Sequence, residues 1–209
     1  MRKFVSLAAV ALLAFGVTAL AGDESKKKPA LKVGDAAPAF VLKNLEGKEV
    51  SLAKVLEQKK IVVLEWFNPG CPFVKKHHQH NSTMRDLATK YKDKVVWLAI
   101  NSSAEGKQGF GVELNKESKK NWKIPYPILL DSDGKTGHAY GARRTPHMYV
   151  INAEGKLAYM GAIDNDNSAR TPGKVNYVEA AIQALLSGKA PETDKTKSYG
   201  CGVKYAPRN

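Results

Sequence analysis

The chain has 209 residues, and its 33 Lys and Arg against 20 Asp and Glu give a formal charge of +13. With 43% hydrophobic and 25% charged residues it has a globular composition, which excludes full disorder and collagen-like repeats. Only two cysteines are present, Cys71 and Cys201, so a disulfide-dense scaffold and a zinc site of four cysteines are excluded too. The length suits one domain of about 150 residues with extensions.

Residues 1–21 have the pattern of an export signal. Two basic residues precede an apolar run over 4–20, and Ala19-Leu20-Ala21 supplies the small residues that a signal peptidase reads. A membrane anchor is the alternative, but the run is short for a span and contains a glycine and a threonine. We expect cleavage after Ala21 and a periplasmic or secreted protein without a membrane span, in a compartment where disulfides persist.

After the signal, the sequence predicts a flexible lead-in segment and then a series of strands and helices. Residues 22–32 are polar, charged and aperiodic, which predicts a flexible segment. The nearly continuous apolar run over 61–67 is typical of a strand covered on both faces. Further elements are predicted as strands over 37–42, 49–52, 95–100 and 127–131, helices over 72–91, 112–122, 135–140 and 178–186, and a hairpin of strands 148–151 and 156–162.

The alternation of strands and helices predicts the fold class. Strands and helices that alternate along a chain build an α/β sheet with helices on both faces. We expect a central mixed β-sheet flanked by helices over residues 33–188. Residues 189–209 then form a polar C-terminal extension, which carries the second cysteine.

Cys71 stands where a buried strand has ended and a helix begins. The free N–H groups and the dipole at a helix N-terminus stabilise a thiolate, which is the reactive form of cysteine. Lys75 and Lys76, about one turn further on, add positive potential. The alternative role is that of a small buried apolar residue. The position between Gly70 and Pro72, at a strand-to-helix turn, favours a reactive cysteine over a structural one.

Four segments stand in the order typical of one superfamily. They are Val33–Phe40 together with Gly47–Leu52, Leu64–Lys75, Thr145-Pro146 before an apolar strand, and Asn152–Lys156. The second of these resembles the active-site segment of the thioredoxin superfamily, and the first resembles the opening of its peroxiredoxin and redoxin branch. The resemblance spans residues 33–188 and implies a thioredoxin-like fold and a thiol oxidoreductase.

The resemblance also implies roles for individual residues. Cys71 matches the nucleophilic first cysteine of the CxxC motif, and Glu65 matches the buried acid that assists proton transfer. Thr145 and Pro146 match the cis-proline segment that shapes the substrate groove. From the residues alone, Glu65 could instead point to solvent, and Pro146 could be an ordinary trans turn proline. A carboxyl buried at the end of a core strand would suit a general acid or base.

Two departures from the family pattern limit the assignment. Val74 stands where the second cysteine of CxxC belongs, so a local dithiol cannot form. Leu64 and Asn68 stand where a peroxiredoxin has a proline and a threonine or serine, which weakens the case for peroxide activation. The chain best resembles the peroxiredoxin-like group that keeps only the first CxxC cysteine.

Cys201 is the candidate partner of Cys71. A cysteine that attacks a disulfide or a peroxide needs a second thiol to discharge the product. Gly200 and Gly202 permit close backbone approach, and the long intervening chain is a small entropic obstacle. We therefore expect a reversible or structural Cys71–Cys201 disulfide. A Cys201 that pairs between subunits or stays free is the alternative.

The other candidate partners are substrates and reductants. We expect a thiol or disulfide protein or a small oxidant as substrate, an external thiol reductant, and no cofactor. The dispersed basic residues argue against nucleic acid, although Arg143-Arg144 could add positive potential beside Cys71. His77 and His80 have a spacing that could bind copper or zinc. We expect solvated histidines without metal; a non-enzymatic binding protein, for example a copper carrier, is the alternative function.

Overall fold

The computed structural model describes residues 30–207. The predicted signal segment over 1–21 and most of the lead-in lie outside these residues. None of the helices in the described part is long and apolar enough to cross a membrane.

A seven-stranded mixed sheet forms the centre of the domain, in the order β2-β1-β5-β4-β3-β7-β8. Every residue of β3 is buried, as expected from its continuous apolar run, and β3 pairs in parallel with β4 and antiparallel with β7. A separate two-stranded sheet joins β6 and β9. The strands are β1 Val41–Asn44, β2 Glu49–Ser51, β3 Ile61–Trp66, β4 Val95–Asn101, β5 Ile128–Leu130, β6 Arg144–Thr145, β7 Met148–Ile151, β8 Leu157–Gly161 and β9 Cys201–Gly202.

Helices cover both faces of the large sheet, so the predicted α/β class is confirmed. Alternate side chains of β3 point to opposite faces, and Val63 packs with α2, α3 and α6 while Leu64 packs with α1 and α5. The helices are α1 Leu52–Leu56, α2 Pro72–Lys75, α3 Thr83–Lys90, α4 Val112–Asn121, α5 Lys135–Tyr140 and α6 Tyr177–Leu186, with a π-helical turn over Lys76–His80.

The prediction of a single helix over 72–91 is wrong. The segment is divided into α2, the π-helical turn and α3, and Asn81 between the last two has an extended backbone. The Asn81 side chain donates to the Lys76 carbonyl at 2.8 Å, which satisfies a group that a continuous helix would pair. The wider turn buries three consecutive side chains, those of residues 76–78, which a regular α-helix would spread around its surface.

The first strand also differs from its prediction. It begins at Val41, paired with Ser51, instead of at residue 37. Pro38 has no N–H to contribute to a ladder, so the segment before Val41 does not join the sheet as a strand.

Candidate active site

Cys71 is the N-cap residue of α2 and is fully buried. Its thiol donates a hydrogen bond of 2.9 Å to the carbonyl oxygen of Thr145. The Thr145–Pro146 peptide bond is cis. The strand-to-helix joint and the cis-proline segment therefore meet at the sulfur atom of Cys71.

The loop before Cys71 is fixed by the buried side chain of Asn68. Its Oδ1 accepts a hydrogen bond of 2.8 Å from the Gly70 N–H, and its Nδ2 donates to the Gln108 carbonyl at 2.9 Å and to Ser103 Oγ at 3.3 Å. The amide group is thus engaged at both ends. It holds the shape of the loop, and its oxygen and nitrogen are both already hydrogen-bonded within the protein.

Cys201 lies beside Cys71 because β9 pairs with β6. In the antiparallel register, Cys201 is the partner of Thr145, the residue whose carbonyl accepts from Cys71. Both cysteines are free thiols in this structure. Burial, followed by the hydrogen bond to the Cys71 thiol, raises the pKa of Cys201 to about 12. Cys201 is therefore held as a protonated thiol while it is docked.

Several contacts fix the C-terminal extension on the domain. Thr196 Oγ1 bonds to the Tyr159 hydroxyl at 2.6 Å and accepts from the Ala162 N–H at 2.9 Å. Beyond β9, the carbonyl of Lys204 accepts from the Ala104 N–H at 2.8 Å. The ring of Tyr205 stacks on His138 with a centroid distance of 4.1 Å. The segment that carries Cys201 is consequently anchored on both sides of the cysteine.

Glu65, in β3, is fully buried, so the solvent-facing alternative is wrong. Its carboxylate accepts three hydrogen bonds: from His78 Nε2 at 2.6 Å, from the Tyr126 hydroxyl at 3.0 Å and from Trp97 Nε1 at 3.3 Å. Next to this carboxylate, burial raises the pKa of Tyr126. Among residues 30–207, Glu65 forms no hydrogen bond to Cys71, so its proton-transfer role stays a prediction.

The expectation of solvated histidines is wrong for two of the three on the π-helical turn. His77 and His78 are buried, and only His80 is exposed. No three His, Cys, Asp or Glu side chains within residues 30–207 converge on a point that could hold a metal ion.

The expectation that Lys76 adds positive potential at Cys71 is also wrong. Its ammonium group is buried and lies 3.7 Å from Asp164, with a hydrogen bond of 2.7 Å to the Asp166 carbonyl. The charge is therefore matched inside the protein. Arg144, in contrast, is exposed and donates to the Gly200 carbonyl at 3.3 Å, which places its charge on the extension next to Cys201.

The sequence profile of the Redoxin family matches residues 32–181. The chain belongs to the redoxin family. Among the proteins similar to this redoxin is thiol-disulfide oxidoreductase ResA of Bacillus cereus, 28% identical over 144 residues, which cover 69% of this chain and 77% of ResA. ResA of Geobacillus thermodenitrificans is 30% identical over 158 residues, which cover 75% of this chain and 83% of that protein.

Solved structures give the same fold for this redoxin. An uncharacterised conserved protein of Geobacillus kaustophilus superposes with a TM-score of 0.75 and 28% identity, over 85% of this chain and 94% of the other. A hypothetical protein of Sinorhizobium meliloti superposes with a TM-score of 0.74 and 24% identity, over 86% and 98%. The thioredoxin-like fold expected from the sequence is confirmed.

The network around Tyr199 is the part of the site that the sequence did not reveal. Its hydroxyl bonds to Asp164 and His77, which come from two distant segments. The signal in the sequence is the set of apolar residues around Cys201, namely Tyr199, Val203 and Tyr205, which could dock on the domain.

Proposed function

We propose that this redoxin is an exported thiol–disulfide oxidoreductase in which Cys71 is the nucleophile and Cys201 the resolving thiol. One observation carries the proposal: β9 pairs Cys201 with Thr145, whose carbonyl accepts from the Cys71 thiol. The extension thereby supplies a second thiol in place of the cysteine that Val74 replaces. The names of the ResA relatives support the same class of reaction.

The proposed cycle needs only the two thiols and an external reductant. The Cys71 thiolate attacks one sulfur of a substrate disulfide, that bond breaks, and the leaving thiolate takes up a proton. Cys201 then loses its proton and attacks the Cys71 sulfur, which releases the second substrate thiol. The substrate has gained two electrons, and Cys71 and Cys201 have become a disulfide. A thiol reductant returns both cysteines to the reduced state.

The residues around Cys71 favour a disulfide over a peroxide as the oxidant. Peroxide reduction needs polar donors aimed at the oxygen atoms beside the sulfur. Asn68, at the position of the peroxiredoxin threonine, is bonded to Gly70, Ser103 and Gln108 instead. Leu64 is buried on the opposite face of the sheet. Thr145 and Pro146 would position an extended substrate segment along the groove that the extension now covers.

Turnover assays with matched cysteine variants test the reaction. The wild-type protein should accelerate reduction of insulin disulfides by dithiothreitol, and Cys71→Ser should abolish the acceleration. Cys201→Ser should accumulate a mixed disulfide at Cys71, visible in the intact mass. Unchanged turnover in Cys71→Ser, or faster consumption of hydrogen peroxide than of disulfide, would contradict the proposal.

Oxidation of the purified protein tests the pairing of the two cysteines. Mass spectrometry of a non-reduced tryptic digest should find a peptide that joins Cys71 to Cys201. A linked dimer through Cys201, or no linked peptide, would overturn the resolving role. For export, N-terminal sequencing of protein from the periplasm or medium should begin at Gly22, and an intact N-terminus would contradict cleavage.

A further inference from the structure

Tyr199, in the C-terminal extension, packs its side chain against α2 and the π-helical turn. Its ring lies 5.9 Å from the ring of Phe73 in α2. Its hydroxyl donates a hydrogen bond of 2.6 Å to Asp164 Oδ1 and lies 2.8 Å from His77 Nε2. An extension that was simply solvated would not place a phenol against a buried carboxylate.

The geometry fixes the direction of each hydrogen bond. The one phenolic proton of Tyr199 goes to Asp164, so His77 must donate its Nε2 proton to the phenolic oxygen. A neutral His77 then carries no proton on Nδ1, and that atom is buried and has no hydrogen-bond partner among residues 30–207. Burial also lowers the pKa of His77 to about 4, which agrees with a neutral ring at neutral pH.

Lys76 balances the negative charge of Asp164, which accepts the hydrogen bond from Tyr199. Its ammonium group is 3.7 Å from Asp164 Oδ1 and lies 4.8 Å from the centroid of the Tyr199 ring. Burial lowers the pKa of Lys76, while Asp164 opposes that shift. The π-helical turn is what brings Lys76 and His77 to the same buried side. Removal of the Tyr199 hydroxyl would leave Asp164 with one donor fewer in a buried position.

We propose that Tyr199 is a positioning residue that holds Cys201 against Cys71 and keeps the extension closed over Cys71. The inference rests on the proposed redox pairing of the two cysteines. Gly200 alone separates Tyr199 from Cys201, so the anchored phenol sets the start of β9. Cys71 is fully buried in this arrangement, and a macromolecular disulfide reaches it only after the extension moves.

The thiol–disulfide equilibrium with glutathione measures the positioning. In that exchange the protein dithiol loses two electrons and two protons, and one glutathione disulfide becomes two glutathione thiols. Tyr199→Phe keeps the ring contact with Phe73 and removes the two hydrogen bonds of the hydroxyl. We expect the equilibrium constant for the Cys71–Cys201 disulfide to fall about tenfold, which corresponds to 1.4 kcal/mol.

Alkylation of Cys71 measures the closure independently of any redox step. In a Cys201→Ser background, iodoacetamide reacts with Cys71 only when the extension opens. Tyr199→Phe in this background should raise the alkylation rate about tenfold, because the opening costs less. Tyr177→Phe is the matched control, since Tyr177 borders the same cavity as Tyr199 and its hydroxyl bonds to no residue among 30–207. It should leave both measurements unchanged.

The two measurements separate the inference from the proposed function. If insulin reduction is absent in the wild type but Tyr199→Phe still accelerates alkylation, the proposed function fails and the closure stands. If the wild type is active and Tyr199→Phe changes neither the equilibrium nor alkylation, the positioning role is overturned. Should Tyr199→Phe fail to fold, His77→Phe is the second variant, because it removes the hydrogen bond that His77 donates to the Tyr199 hydroxyl. It should shift both quantities in the same direction, and no shift would overturn the inference.

Discussion

A Cβ atom on Gly200 would lie 2.2 Å from the carbonyl oxygen of Thr145, and Gly200 has a positive φ of 110°. Both the space and the backbone conformation at this position require glycine. Gly200→Ala should therefore detach β9 from β6. We expect the iodoacetamide rate at Cys71 to rise at least about tenfold, because a strained backbone of this kind costs on the order of 1–3 kcal/mol.

Gly202→Ala is the control for this prediction. Gly202 lies two residues further on, within β9, but a Cβ atom there would meet nothing within 4 Å. Its alkylation rate should match that of the unmodified protein. Equal rates for the two alanine variants would show that the pairing of β6 with β9 does not protect Cys71.

Glu65→Gln should destabilise the protein. The carboxylate accepts from three donors, and the NH2 group of glutamine cannot accept a hydrogen bond, so at least one buried donor loses its partner. We expect the free energy of unfolding to fall by about 1–3 kcal/mol. Urea titration followed by tryptophan fluorescence measures this loss, and a stability equal to the wild type would contradict the network.

Tyr126→Phe provides the graded comparison for Glu65→Gln. It removes one donor to Glu65 and keeps the stacking of the ring on Trp97, whose centroid is 5.7 Å away. The loss of stability should be smaller, about 1 kcal/mol. If Glu65 also assists proton transfer, Glu65→Gln should slow insulin reduction far more than Tyr126→Phe does.

Acid should weaken the fold through two buried histidines. Burial lowers the pKa of both His77 and His147 from 6.5 to about 4. Between these values the unfolded chain binds protons that the folded protein does not. The contribution of the two histidines to the free energy of unfolding is therefore present above pH 6.5 and is lost as the pH drops towards 4. The slope should approach about 1.4 kcal/mol per pH unit for each histidine.

Urea titrations at several pH values between 4.5 and 8 check this dependence. His77→Phe should remove about half of the histidine contribution to the slope, because His147 still contributes. As the pH rises from 7 to 8, the unfolded rings lose their remaining protons, so the slope should decrease towards zero. An unchanged slope in His77→Phe would contradict the assigned protonation state of His77.

Local signals were sufficient for most of the fold. The apolar run of β3 and the break at residues 68–70 predict a buried strand followed by a helix, and both are present. Such signals act between neighbouring residues, so they can be read directly from the order of the chain. One boundary failed for a longer-range reason. The division of helix 72–91 follows from the burial of Lys76, which needs Asp164 from a distant loop.

The sequence by itself determined that Cys71 begins a helix after a buried strand and that its CxxC partner is missing. Two cysteines far apart in the chain also made Cys201 the one candidate for a second thiol within it. Only the tertiary structure decided that β9 places Cys201 opposite Thr145 and that Tyr199 is anchored by Asp164 and His77. These contacts join segments whose separation is unrelated to any helix or strand period, so no local pattern encodes them.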